Sequence, residues 1–401
     1  MLRRLLSLVF MVCLMSPLVL GRAAVATDLD VCPTCTHTTI QSAIGAAGPG
    51  DRIRVAQGTY HENLIIGNPK TITISGGWSA DFSTQVNDPA LTVIDGSAAD
   101  RALHVYGGPS DVTVENITFQ NGNHSWGGCI RVEPIDGQID FGLEDVVVQD
   151  CHCPQGHGGG ICLISYSYLL AARLTNVMVR GSYTADAGGG IWAGSDAGTE
   201  PGDVEVYVIN SMIYSNESDR EAGGVAVWAE ENSWTRAVIV NSTITGNTSN
   251  NAYLGGGGVV VSDDNAPGTT VILEMVNTIL YGNTADRGAD LSVSIGGNQS
   301  KVDVYHSDLG DLLHLKGTFN QANNLNTAPL FLNSATDDFH LRSVSPLIDA
   351  GTVTVPDPPG LPATDFEGDP RVIGPAPDIG ADEARWQWYI YLPVVIKNYS
   401  P

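Results

Sequence analysis

A chain of 401 residues with 46 glycines, a formal charge of −25 and lysine only at Lys70, Lys301, Lys316 and Lys397 excludes two large classes of protein. Nucleic acid and anionic membranes are excluded as partners because both need a positive face. A helical globule is excluded because Gly, Asn, Ser, Thr and Val suit turns and strands. One elongated, all-β repeat array accounts for the length better than two or three ordinary domains, and calcium ions and neutral saccharides remain compatible with the charge.

Residues 1–26 read as an export signal, with Arg3 and Arg4 at the start, an apolar run from Leu5 to Leu20, and the small residues Ala24, Val25 and Ala26 at the end. The run is short for a bilayer and Pro17 interrupts it. The mature chain is therefore expected to begin near Thr27, with no membrane insertion after the signal is removed, and to be a monomer. Next comes "TIQSAIGAAGPG". Thr38 and Gln41 fit a capping box, Ile40, Ala43, Ile44 and Ala47 share one helical face, and Gly48-Pro49 stops the turn.

Cys13 leaves with the signal, and Cys32, Cys35, Cys129, Cys151, Cys153 and Cys162 remain. An even number in an exported chain points to disulfides, whose connectivity spacing cannot decide. The tight group "CHCPQGH" with Cys162 and His124 also has zinc-like ligand types.

Six segments then align on one polar position: Asn116, Asp145, Asn176, Asn210, Asn241 and Asn277, at separations of 29, 31, 34, 31 and 36 residues. Each is followed, after a variable loop, by a glycine block and a short apolar strand, as in "GHGGGICLI", "ADAGGGIWAG", "EAGGVAVWA" and "LGGGGVVVS". Such a unit cannot close a core alone, so it must stack in register, each turn ~4.8 Å above the last. Asn suits a left-handed bend between strands, and stacked amides can bond up the column. Glycine suits the point where the loop re-enters beside the neighbouring turn. Alternation after the block turns Ile161, Leu163, Ile191, Ala193, Val225 and Val227 inward, and Arg131, Cys162, Trp192 and Trp228 outward.

On these residues the chain, over about 38–310, resembles the right-handed parallel β-helix repeat proteins of the pectin-lyase-like superfamily. The resemblance implies a single-stranded coil over 27–322 whose short N-terminal helix plugs the open end. From "PLFLNSATDDFHLRSVSPLIDAG" through "DFEGDPR" to "DIGADE", residues 324–383 resemble the choice-of-anchor Q region of exported bacterial proteins. This implies surface association and an irregular C-terminal cap over 323–384. Asp349, Asp365, Arg371, Asp378 and Glu383 read there as turn hydrogen bonds and ion pairs, with calcium ligation as the alternative. The tail 385–401 alternates Trp386, Trp388, Ile390 and Leu392, and reads as either an attachment element or a last strand over the edge.

Enzymes of that superfamily that cut polysaccharides work on the outward face of the strand after the glycine block. A lyase needs a basic residue there, yet no lysine lies between Lys70 and Lys301, and Arg131 is one of few arginines near the face. Gly156-His157-Gly158 echoes a polygalacturonase motif without its companion segments. Asp186, Glu221 and Asp286 recur before successive glycine blocks and are candidate catalytic carboxylates or solvated loop acids. Trp192 and Trp228 fall diagonally adjacent on the outward face and form a candidate sugar platform, unless a loop folds over them. Asp196 and Glu230 belong to the same rim, and Asp263 and Asp264 are the candidate calcium ligands. The pattern therefore leads to the expectation of a surface binding or display protein for a polysaccharide or glycan, with a glycan-cleaving enzyme as the rival.

Overall fold

The structure, a computed structural model, describes residues 26–67, 69–195, 202–297 and 299–385. Residues 1–25, Asp196 and the tail from residue 386 lie outside the described residues. Within them the chain coils as a right-handed parallel β-helix. The strands that follow the glycine blocks form a nine-stranded sheet, in which Ile130–Pro134, Ile161–Ser165, Ile191–Ser195, Val225–Ala229 and Val259–Asp263 pair in parallel, rung on rung. The strands on either side of the polar bend form a longer sheet, and a narrow column of two-residue strands closes the section. No helix among the described residues is long and apolar enough to cross a membrane.

Alternation builds the core. Ile161, Leu163, Ile191, Ala193, Val225, Val227, Val259 and Val261 all point inward and are at most 2% exposed. Each such Ile or Val contributes about 1.5–3 kcal/mol, so stability accumulates with every rung. The polar bends are left-handed as expected, with φ of 58° at Asn116, 53° at Asp145 and Asn176, 49° at Asn210, 48° at Asn241 and 52° at Asn277. His306 and Asn323, at φ 47° and 56°, extend the same column.

Side-chain stacking at the bends is only partial: Asn176 Nδ2 donates to Asp145 Oδ1 at 2.9 Å, while Asn210 and Asn277 turn outward to Thr364 and Thr352 carbonyls. The continuous ladder lies six residues further on. Asn216, Asn247 and Asn283 are buried, and each Nδ2 donates to the next oxygen up the column, at 3.0 Å to Asn247, 2.9 Å to Asn283 and 2.9 Å to Asp290.

At the N-terminus the helix Ile40–Ala46 buries Ile40, Ala43 and Ile44 in the end of the coil. Its cap is Thr39 rather than Thr38, since the Thr39 hydroxyl accepts from Ser42 N. The Glu62 carboxylate, not Gln41, accepts the first-turn N–H groups of Ile40 and Gln41, both at 2.9 Å. Gln41 is engaged instead with both backbone groups of Ile65.

The C-terminal region departs from the expected cap. Residues 323–327 pair with the last rung, but the chain then doubles back along the flank. Asp337 reaches Arg180 at 3.5 Å, and Thr352 and Gly380 bond to Asn277. Arg371, 1% exposed, donates to Asn210 Oδ1 at 2.9 Å. The final strands Leu312–Lys316 and Thr318–Ala322 stay largely exposed at the coil end. The flank offers side-chain amides at the bends and an apolar contact at Ile279 and Tyr281, on which Leu341, Leu347 and Ile379 of the strap pack. Asp365, Asp378 and Glu383 serve as turn and ion-pair acceptors in this strap.

Candidate functional site

The glycine blocks set the geometry of the outward face. Their first residue is left-handed, with φ of 72° at Gly158, 73° at Gly188 and 56° at Ala222, which occupies this place without being glycine. A Cβ on the following Gly159 would lie 2.2 Å from the Gly189 carbonyl oxygen, and one on Gly189 would lie 2.5 Å from that of Gly223. The rungs therefore touch backbone to backbone here, and the loops before them fold over the strands.

Between those loops and the strands lies a cavity of about 240 Å³, lined by residues that include His157, Asp186, Trp192, Arg220, Glu221, Trp228 and Glu230. Two of the three expected carboxylates meet here on one guanidinium: Arg220 lies 3.0 Å from Asp186 Oδ1 and 3.6 Å from Glu221 Oε2. Burial pushes the Glu221 carboxyl above its ordinary value, with Arg220 pulling the other way. Asn251 Nδ2 also donates to Glu221 Oε1 at 3.1 Å. The third, Asp286, is exposed and outside the cavity. The loop carrying Asn251 takes up the space beside Glu221 that a stacked column would need.

Trp192 and Trp228 hold the expected diagonal, since Trp228 pairs with Gly194 and Trp192 with Ala226. They are not an exposed platform. Trp192 is only 3% exposed. Its indole lies across Gly194, where no side chain obstructs it, and the His157 ring stacks flat on it at 4.9 Å and 9°. Trp126 meets His157 edge-on at 4.8 Å, and Cys162, Ile164, Ala187, Ala222, Ala226 and Val260 complete a satellite core. Trp228 is half-buried, and its Nε1 donates to Glu230 Oε1 at 3.0 Å. Both indoles line the cavity, but only Trp228 is left half-open.

Arg131 sits one rung beyond Cys162 and outside the cavity. Its guanidinium pairs with Glu133 and lies over Trp126 at 5.7 Å. Burial alone would raise the Glu133 pKa, but His104 and Arg131 hold it below the usual range.

Asp263 and Asp264 are anchors of backbone turns rather than an open calcium site. Asp263, 4% exposed, accepts from Gly296 N, Gly297 N, Ser300 Oγ and Asn265 N, and Asp264 accepts from Glu231 N, Ala266 N and Thr269 Oγ1. The cysteines divide likewise. Cys32–Cys35 and Cys129–Cys151 are disulfides, while Cys153 and Cys162 are buried free thiols, the latter with its pKa pushed up to about 12 by burial. The Cys129–Cys151 disulfide takes Cys151 out of the zinc-like set, and the remaining cysteines and histidines do not converge as a metal site among the described residues.

Sequence reasoning set aside His157, which closes the cavity, because its glycine-flanked motif has no companions. Its position one rung before Trp192 was the available signal. No protein-family model matches the chain, and no curated protein does. Among solved structures, pectate lyase Pel9A has 15% identity and a TM-score of 0.40, covering 90% of this chain and 96% of that one. The pectin methylesterase from Aspergillus niger has 15% identity and a TM-score of 0.35, covering 76% and 88%. Neither likeness carries residues of a reaction across to this chain.

Proposed function

We propose that this chain is an exported binding module that holds a glycan residue in the cavity beside Trp228. The observation that carries the reading is the lining itself: a half-buried indole faces a rim of Asp186, Arg220, Glu221 and Glu230. A pyranose has one apolar face for the indole and hydroxyl edges for the rim. The charge of −25 favours a neutral or cationic polymer over an acidic one. Two disulfides are in keeping with an oxidising, extracytoplasmic compartment.

A cleavage reading draws support from Glu221, a buried carboxyl of raised pKa beside a second carboxylate. Both readings meet in one experiment, a panel of polysaccharides with calcium present, scored for retention and for release of reducing or unsaturated ends. Retention without release, weakened about tenfold by Trp228→Ala, is expected; that loss corresponds to about 1.4 kcal/mol. Undiminished retention by the folded variant would remove the binding site from this cavity. Released ends would make the chain an enzyme, and Glu221→Gln would then be the first variant to assay.

A further inference from the structure

The strap carries a second cavity, about 670 Å³, which shares no lining residue with the first, and its lining includes His340, Glu367, Asp382 and Arg385. His340, Glu367 and Asp382 each present one ligand atom within 4.8 Å of the other two. Asp382 is 6% exposed, and its Oδ2 is sealed from solvent without a hydrogen-bond partner. An unpartnered carboxylate oxygen in that position is costly unless a cation or a proton meets it. His340 Nδ1 lies 2.6 Å from Asp338 Oδ1, which fixes the ring and points Nε2 toward Glu367 Oε1 at 3.0 Å. The resulting order, carboxylate to imidazole to a convergent pair of carboxylates, is that of a metal-binding histidine with its orienting partner.

We infer that His340 Nε2, Glu367 and Asp382 bind a zinc-class divalent ion, with Asp338 as the positioning residue. The donor set selects the ion. An imidazole nitrogen with two carboxylates suits zinc and its neighbours, whereas calcium takes oxygen ligands almost alone. Three protein ligands leave a fourth position, and since all three residues line the cavity, that position opens into it for water or an anionic group of a ligand. The elements that bring the ligands together are the strand Asp338–Leu341, which carries His340, and two turns of the strap. The site therefore exists only once the strap has folded, and the ion would clamp it.

The test uses the mature full chain, stripped with chelator and titrated calorimetrically with zinc chloride and, separately, calcium chloride. One equivalent of zinc, a raised unfolding temperature and no comparable effect of calcium are expected. Glu367 is exposed, so Glu367→Gln is expected to fold and to weaken zinc at least tenfold; His340→Gln is expected to abolish the site. Asp338→Asn should weaken zinc by about 10- to 100-fold while leaving the thermal midpoint of the stripped protein close to that of the parent. Absence of zinc binding by the stripped, folded chain would overturn the inference. So would zinc binding that Glu367→Gln leaves unchanged, or calcium binding in preference to zinc.

Discussion

Asp308 shows how a single buried carboxyl sets a pH response. It is fully buried, its Oδ1 accepts from Thr327 N at 3.0 Å, and its Oδ2 has no partner. Burial raises its pKa from 3.8 to about 6, Thr327 opposes the rise and Asp290 adds to it. The folded state therefore keeps a proton that the unfolded chain releases. Stability from this group is complete below the unfolded value and falls as pH rises through about 6. The loss amounts to about 3 kcal/mol at most. Asp308→Asn keeps the acceptor for Thr327 and removes the titration. The difference in denaturation midpoint between variant and parent should grow in the variant's favour from pH 4 to pH 7. A difference independent of pH would show that Asp308 titrates normally.

At the scale of the element, the rung is stabilised by backbone approach at the glycine block and by the buried amide ladder. Asn247 is the middle member. It is fully buried, its Nδ2 donates to Asn283 Oδ1, Ile213 O and Thr245 O, and its Oδ1 accepts from Asn216 N and Nδ2. Asn247→Ala would leave several of those groups unpaired away from water, at about 1–3 kcal/mol each for groups that find no substitute. A fall of about 3–5 kcal/mol in unfolding free energy, or a split denaturation curve, is expected. The exposed neighbour Asn250 should tolerate Ala within about 0.5 kcal/mol. The ladder was legible in the sequence, because Asn216, Asn247 and Asn283 each follow a bend asparagine by the same six residues. The bend column is the more conspicuous signal, since it aligns over more repeats.

For the whole molecule, the decisive feature is the strap that runs back along the coil. Arg371 pins it: besides Asn210, it donates to Gly380 O, Ala381 O and Glu383, and it is 1% exposed. Arg371→Ala should destabilise the strap by about 3–5 kcal/mol, because Glu383 would remain buried without its cation, and Asn210 Oδ1, Gly380 O and Ala381 O would lose the same donor. Limited proteolysis should then cut between residues 328 and 384 while the coil resists. Equal resistance in variant and parent would mean that the strap is held chiefly by its apolar strip.

Whatever recurs at a constant offset is written in the amino-acid order: the parallel coil, the inward and outward sides of each strand, the left-handed bends and the close glycine contacts. Those properties follow from rung-to-rung register, which a repeat states directly. Whatever depends on loops of unequal length and on contacts far apart along the chain is set by the folded chain. It joined Cys129 to Cys151, laid Trp192 under His157, drew Asp186 and Glu221 to Arg220 without Asp286, and set the strap on the flank. Lateral packing has no period to read: Asn210 and Arg371 are 161 residues apart and meet only because the chain reverses.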